Sequence, residues 1–246
     1  MSTPEHEPLA PHNRLAGEMT FVEHLEELRW RIVKSLLALA VGFGLAFAYS
    51  KVLMAWLSVP AGDVDFIFTA PGEYFMASLK VAFFAGLYLA LPVILYQLVA
   101  FVAPGLTPTE RRWVLPVVAG SFLLFTVGGA FAYYALLPAG LHFLLGFAPT
   151  TVAPMLSIGT YLGFAASLLF AAGLVFELPL LLLALAWIGV LSSAILASFR
   201  KVAIVLALAI GAVITPSADI FSQLMLAGAL VLLYELSVWL IRLTGK

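Results

Sequence analysis

Residues 156–190 read LSIGTYLGFAASLLFAAGLVFELPLLLLALAWIGV, an apolar run that contains one acid, Glu177, and no base. A membrane span needs about 20 apolar residues, so this run is too long for one simple span, and Pro179 is expected to bend it or to mark its emergence. Five further apolar segments flank it: Ile32–Tyr49, Met76–Val102 with Pro92 inside, Trp113–Leu137 ended by Pro138, Val202–Ile214 and Ile220–Ile241. Val202–Ile214 reaches only about 20 Å at helical rise, so it needs a thinned bilayer or the protection of neighbouring helices. The expectation is an all-α integral membrane protein with six transmembrane helices, the fifth and sixth spans being short.

Composition supports this class. Of 246 residues, 63% are hydrophobic and 10% charged. A soluble domain carries about a quarter charged residues, so too little polar surface exists here to cover a water-facing globule. The net charge of −1 gives no field for nucleic acid. The absence of cysteine excludes disulfides and thiolate chemistry. Residues 1–18 hold Pro4, Pro8 and Pro11 and few apolar side chains, and are expected to be a disordered tail. Residues 19–246 form one transmembrane domain preceded by an amphipathic helix. The first apolar run follows a long charged tail, so it reads as a retained span rather than a cleaved signal.

Basic residues set the orientation. Arg14, Arg29, Arg31 and Lys34 precede the first span, Arg111 and Arg112 separate the second and third, Arg200 and Lys201 the fourth and fifth, and Arg242 and Lys246 follow the sixth. Only Lys51 and Lys80 fall on the other side. An even number of spans then puts both termini on the basic, cytoplasmic side. The outer connections are Ser50–Phe75, Pro138–Met155 and Thr215–Asp219.

Before the first span, Thr20 and Glu23 form a capping box. Phe21, Leu25, Leu28 and Ile32 then make an apolar stripe at helical period, which predicts a helix lying at the interface before it turns into the bilayer. Glu23, Glu27 and Arg31 share another face, and Arg29 points away from it. Glu27 is either half of an intrahelical pair with Arg31 or a carboxylate waiting for a cationic partner. In the next inner loop, Pro104-Gly105 ends a helix, Thr107-Pro108 starts another, and Glu110 completes a second capping box. Arg111 and Arg112 read there as positive-inside anchors.

Glu177 is costly at membrane depth and is therefore a functional or partner-binding candidate. Gln97, Gln223 and Glu235 are lesser candidates, with Glu235 read as solvated at the interface. Gly159 and Gly163 form a pair that permits close helix packing. His142 reads as structural. No zinc spacing, phosphate loop or nucleophile–base set is visible, so no cofactor, metal or catalytic residue is assigned.

Six segments in order carry a resemblance: His24-Leu25-Glu26-Glu27-Leu28-Arg29, Pro92-Val93-Ile94-Leu95-Tyr96-Gln97, Ala100-Phe101-Val102-Ala103-Pro104-Gly105-Leu106, Glu110-Arg111-Arg112, Phe176-Glu177-Leu178-Pro179, and Thr215-Pro216 followed by Phe221-Ser222-Gln223. Together, over about Met19–Ile241, they resemble TatC, the polytopic subunit of the twin-arginine protein translocase. The resemblance implies six helices, N-in and C-in, in a concave, glove-like wall in a bacterial or archaeal cytoplasmic (inner) membrane. It implies a receptor, not an enzyme, for paired-arginine signal peptides on folded precursors. Glu27 and Glu110 match the carboxylates that recognise the two arginines, and Arg29, Phe101, Pro104, Arg111 and Arg112 match the rest of that surface. Glu177 matches the intramembrane acid, with Gln223 a further polar position, and Pro60 matches the outer-loop proline. The implied partners are the single-span TatA and TatB proteins in an oligomeric complex, and the implied energy source is the proton-motive force. The outer turn Thr215–Asp219 departs from a shorter family form, which bears on Asp219 as the equivalent acid, and residues 1–18 have no assigned counterpart. The alternative from another class is an ion-coupled secondary transporter with Glu177 as its proton site; against it, no inverted repeat is evident.

Overall fold

The computed structural model describes residues 21–62, 64–102, 112, 114–146, 155–214 and 220–243. The tail 1–18 and Thr20, together with Pro104, Glu110, Arg111 and Asp219, lie outside the described residues. The first helix, α1, runs without interruption over Phe21–Ala48. No break in the helix marks the change of direction expected near Ile32. Residues 29–34 contain no glycine or proline to break the helix, and a chain entering lipid satisfies its backbone polar groups most simply by staying helical. Leu25 and Ile32 of the expected stripe are exposed, whereas Glu27, Leu28 and Arg31 are partly covered. The polar face of α1 thus turns toward the protein.

A short helix α2 (Ser50–Ser58) and a 3₁₀ turn (Val59–Ala61) follow, then the two-residue strand β1 (Phe66–Ile67) and the long helix α3 (Glu73–Val102). The two long helices α1 and α3 cross at a pair of glycines. A Cβ on Gly42 would stand 2.5 Å from the Gly86 carbonyl oxygen, and one on Gly86 would stand 2.5 Å from the Phe43 nitrogen. The backbones touch there, and no side chain fits between them.

The next segment runs as α4 (Val114–Phe131), a π turn (Ala132–Leu136) and α5 (Leu137–Gly146). Pro138 was expected to end this helix and does not. The widened turn resets the hydrogen-bond register just before Pro138, whose missing N–H then falls in the first turn of α5. Strand β2 (Leu156–Ser157) pairs in parallel with β1, Phe66 opposite Leu156 and Ile67 opposite Ser157. The long apolar run is broken as expected. Helix α6 (Ile158–Phe176) and α7 (Leu178–Trp187) are separated at Glu177, with Pro179 in the first turn of α7, where no backbone donor is needed.

Helix α8 (Ser193–Ser198) leads to α9 (Arg200–Ile214) and α10 (Ile220–Leu243). At 15 residues α9 is short, as expected. The last helix is not short. It has 24 residues, because the apolar run carries on to a final turn in which Arg242 faces the negative end of the helix dipole. Among the described residues, five helices are long and apolar enough to cross a membrane by length and composition.

The main core gathers Leu136, Leu137, Leu162, Leu168 and Leu226 from the π turn, α5, α6 and α10. A smaller cluster joins Ala186, Leu196, Val238 and Ile241 from α7, α8 and α10. Large apolar side chains also cover the outside, among them Leu36, Leu37, Val41 and Leu45 on α1 and Val205 and Val213 on α9. Such continuous apolar surface suits lipid rather than water.

The described residues of the first two outer connections make defined contacts. The hydroxyls of Tyr133 and Tyr161 donate to the Trp56 and Leu57 carbonyls at 2.9 and 2.8 Å, satisfying the last turn of α2. Trp56 stacks flat on Tyr133, with ring centres 4.1 Å apart. Pro60 lies in the 3₁₀ turn, and Gly62 follows at φ +68°, a left-handed conformation that favours glycine. Glu73 then ties the two outer segments together. It accepts from the Thr69 N–H at 2.6 Å, the Thr69 hydroxyl at 2.8 Å, the Gly159 N–H at 2.9 Å and the Ser157 hydroxyl. The expected Gly159 and Gly163 pair is used here: a Cβ on Gly159 would meet Glu73 at 2.5 Å, and Gly163 faces the Lys80 side chain.

Candidate functional site

The seam between the first turns of α1 and the last turns of α3 carries three of the described candidate residues, Glu27, Gln97 and Phe101. His24, Glu27 and Arg31 fall on one face of α1 by their helical spacing, and Gln97 and Phe101 fall on one face of α3. The two faces meet. The His24 and Phe101 rings stack with centres 4.3 Å apart and planes 18° apart. Arg31 Nε and Nη2 donate to Glu27 Oε1 at 3.0 and 2.5 Å, and Arg31 Nη1 donates to Gln97 Oε1 at 3.2 Å.

The intrahelical reading of Glu27 is therefore present, and it does not exhaust the residue. Glu27 Oε2 is buried and accepts no hydrogen bond among the described residues. An ionised carboxylate has lone pairs for several donors, and a buried oxygen without one costs free energy of desolvation. The seam thus holds one half-used acceptor beside two aromatic rings, an arrangement suited to a cationic nitrogen donor. Arg29 is exposed and points away from the seam, and Arg112 is exposed in a turn.

Glu177 occupies a different place, where the break between α6 and α7 meets α4. Its Oε2 accepts from the Ser121 hydroxyl, and its Oε1 is buried with no partner among the described residues. Gly128 and Gly173 let α4 and α6 approach closely near this point: a Cβ on Gly128 would lie 2.6 Å from the Ala172 carbonyl oxygen, and one on Gly173 would lie 2.7 Å from the Phe125 ring.

Two lesser candidates have structural partners. Gln223 Nε2 donates to the Leu208 carbonyl at 3.1 Å, tying α10 to the short α9, and Gly211 leaves room for its backbone. Glu235 was read as solvated, but it forms a two-point ion pair with Arg200, at 2.7 Å from Nε and 2.8 Å from Nη2. The missing information was three-dimensional: α10 returns beside the start of α9. His142 is exposed. Among the described residues no cluster of His, Asp or Glu has the form of a metal site.

An apolar cavity of about 430 Å³ opens between α2, α3, α4, the π turn and α6, with Trp56, Phe84, Tyr88, Phe125, Tyr133 and Phe170 in its wall. The Tyr88 and Thr126 hydroxyls pair with each other there at 3.0 Å.

Sequence reasoning passed over His24, Arg31 as a bridge to α3, Ser121 and Glu73. Only Ser121 left a usable signal, one of two hydroxyls, with Thr126, inside the otherwise apolar run Val114–Phe131. The others depend on which helices become neighbours.

Comparison with known proteins places these features in context. The family described as TatC, Sec-independent protein translocase protein, matches residues 23–228. The Sec-independent protein translocase protein TatC of Synechocystis sp. is 44% identical over 229 residues, covering 93% of this chain and 90% of that protein. The protein of the same name from Aquifex aeolicus is 40% identical over 234 residues, covering 93% and 97%. The chloroplastic TATC of Arabidopsis thaliana is 44% identical over 231 residues, covering 93% of this chain and 68% of that protein. A crystal structure described as the twin arginine translocase receptor TatC superimposes with a TM-score of 0.80 at 40% identity, over 91% of this chain and all of that one.

Proposed function

We propose a working mechanism from one premise: the chain belongs to the TatC family of Sec-independent protein translocase proteins. It is a multi-pass membrane protein, the receptor subunit of a protein-translocation complex that takes paired-arginine signal peptides, and not an enzyme. The secondary-transporter alternative falls, since the relatives and the matching structure are translocase components.

The site is Glu27 with Phe101 on the facing helix, and Glu110, Pro104, Arg111, Arg112 and Arg29 are assigned to the same signal-binding surface. One observation carries this: the buried, half-used carboxylate of Glu27 on the α1–α3 seam. A guanidinium is a rigid donor fork that matches a carboxylate, while an ammonium matches only its charge. One arginine of the signal meets Glu27 and the other Glu110. The short α9 counts as the fifth of six spans. Ten of the twelve basic residues then fall on the side of both termini, which supports a cytoplasmic placement in the inner membrane of a bacterium or archaeon. TatA and TatB are the partners, and the proton-motive force drives transport.

A photocrosslinking side chain at position 101 tests the site. It forms an adduct with a precursor carrying paired arginines, while the same group at Val213, exposed on α9, forms none. Equal adducts with a twin-lysine precursor would overturn the site.

Glu177 serves as a polar foothold for a partner helix rather than as a stabiliser of the fold. Its carboxylate is half-satisfied, and exchanging such a group for an apolar one of similar size is often neutral or stabilising. For Glu177→Leu the thermal midpoint in detergent holds or rises, while export falls several-fold. A sharp drop in the midpoint with normal export would make the residue structural.

A further inference from the structure

Arg31 is shared between two helices. A guanidinium and a carboxylate left to themselves settle fork to fork, with one N–H on each oxygen. Here Nε and Nη2 both rest on Oε1 of Glu27, and Nη1 is drawn aside to Gln97 on α3. Oε2 is buried and has no partner among the described residues. The spacing of Glu27 and Arg31 permits their pair in any helix, and the turned fork is the one in which Nη1 also reaches Gln97.

We propose that Arg31 is a resident competitor for Glu27, held off-centre by Gln97, and that it sets the preference of the site for arginine over lysine in the incoming signal peptide. This rests on Glu27 being a signal-binding carboxylate. With Arg31 in place, Glu27 is no longer a bare anion. A lysine ammonium binds by point charge and is costly to dehydrate, so it gains little from a carboxylate already neutralised. A guanidinium is more weakly hydrated and directional, and it still finds the lone pairs of Oε2 in the geometry it needs. Net charge is thereby removed from the selection, and the shape of the donor remains.

The test uses the purified full-length protein in lipid nanodiscs and two labelled peptides, a twin-arginine signal and its twin-lysine analogue. The proteins are the parent, Arg31→Lys, Arg31→Gln and Glu27→Gln. The affinity ratio of arginine to lysine peptide falls in the order Arg, Lys, Gln at position 31, by roughly tenfold in all, chiefly through tighter binding of the lysine peptide. An unchanged ratio in both Arg31 variants, or equal weakening of both peptides, overturns the proposal and makes Arg31 a structural tie. Glu27→Gln separates the two levels. If it leaves both affinities intact, the site itself is wrong and the competitor falls with it. If it weakens binding while the Arg31 ratios stay fixed, only the competitor falls. Arg31→Lys keeps a charged i, i+4 pair, so a folding defect in Arg31→Gln does not silence the experiment.

Discussion

Glu27→Gln combined with Glu110→Gln lowers affinity for a paired-arginine signal peptide by at least about a hundredfold and stops export, each charge-assisted contact contributing about 1.5–3 kcal/mol before screening. Glutamine keeps the size of the side chain and one acceptor oxygen, so the loss isolates charge and the paired-oxygen geometry. Each single variant costs about tenfold, since the Glu27 side chain is one-fifth exposed and water tempers its contribution. Glu26→Gln, one residue away on an exposed face, is the control and changes little. Binding of a labelled signal peptide to the purified protein, followed by export of a folded precursor in cells, reads the effect. Unchanged affinity in the double variant would remove both carboxylates from the recognition surface. In the single variant, the Arg31 guanidinium also loses its anion, so a thermal midpoint is measured in parallel.

Gly86→Ala destabilises the fold through one methyl group. Its Cβ would stand 2.5 Å from the Phe43 nitrogen and 2.6 Å from the Phe43 Cα. These are backbone atoms of α1, so no side-chain rotation relieves the clash, and the two helices must separate. Overpacking of this kind costs about 1–3 kcal/mol, and here it lands at the high end or beyond because the clash is with backbone atoms and parting them opens the most extensive helix pairing of the fold. That corresponds to a fall of roughly 6–12 °C in thermal midpoint for a chain of this length. The control lies on the opposing helix: Gly44→Ala meets nothing within 4 Å and gains helix propensity, so its midpoint holds or rises. Separation of α1 from α3 also parts Arg31 from Gln97 and His24 from Phe101, so signal binding falls together with stability. If Gly86→Ala matched Gly44→Ala in midpoint, the helices would not be in backbone contact.

The spans were legible because hydropathy is a one-dimensional property. Residues 156–190 announced both their membrane character and their break, and α6 and α7 part at Glu177 beside Pro179. Pro138 misled, because a π turn is a local adjustment that no residue pattern in Ala132–Leu136 advertises. The α1 entry misled for another reason. An apolar stripe followed by a longer apolar run has the same pattern whether the helix bends at the interface or continues straight. At the site, Glu27 was visible as a residue: its intrahelical pair with Arg31 forms on one oxygen, and the other has no partner among the described residues. Gln97 was visible only as a polar side chain in a span. Its meeting with Arg31, 66 positions away, depends on the Gly42–Gly86 crossing, which brings two helices to one register. Glu73 and Glu235 belong to the same class, since each finds its partner on an element distant in sequence.

On the proposal that Glu27 binds the signal, the unbroken α1 sets where recognition happens. Its 28 residues measure about 42 Å at helical rise, against a hydrocarbon core of about 30 Å. With Ala48 at the outer boundary, the inner boundary falls near Arg29, and Glu27 stands one step beyond it, among lipid headgroups. A twin-arginine motif gliding along that surface is already surrounded by phosphates, each an anion that a guanidinium can grip with two donors. The receptor therefore competes with its own membrane for the signal. On that proposal, a carboxylate held in place by Arg31 prevails over mobile phosphates by holding its geometry ready, and anionic lipid content becomes a natural dial on how readily precursors are captured.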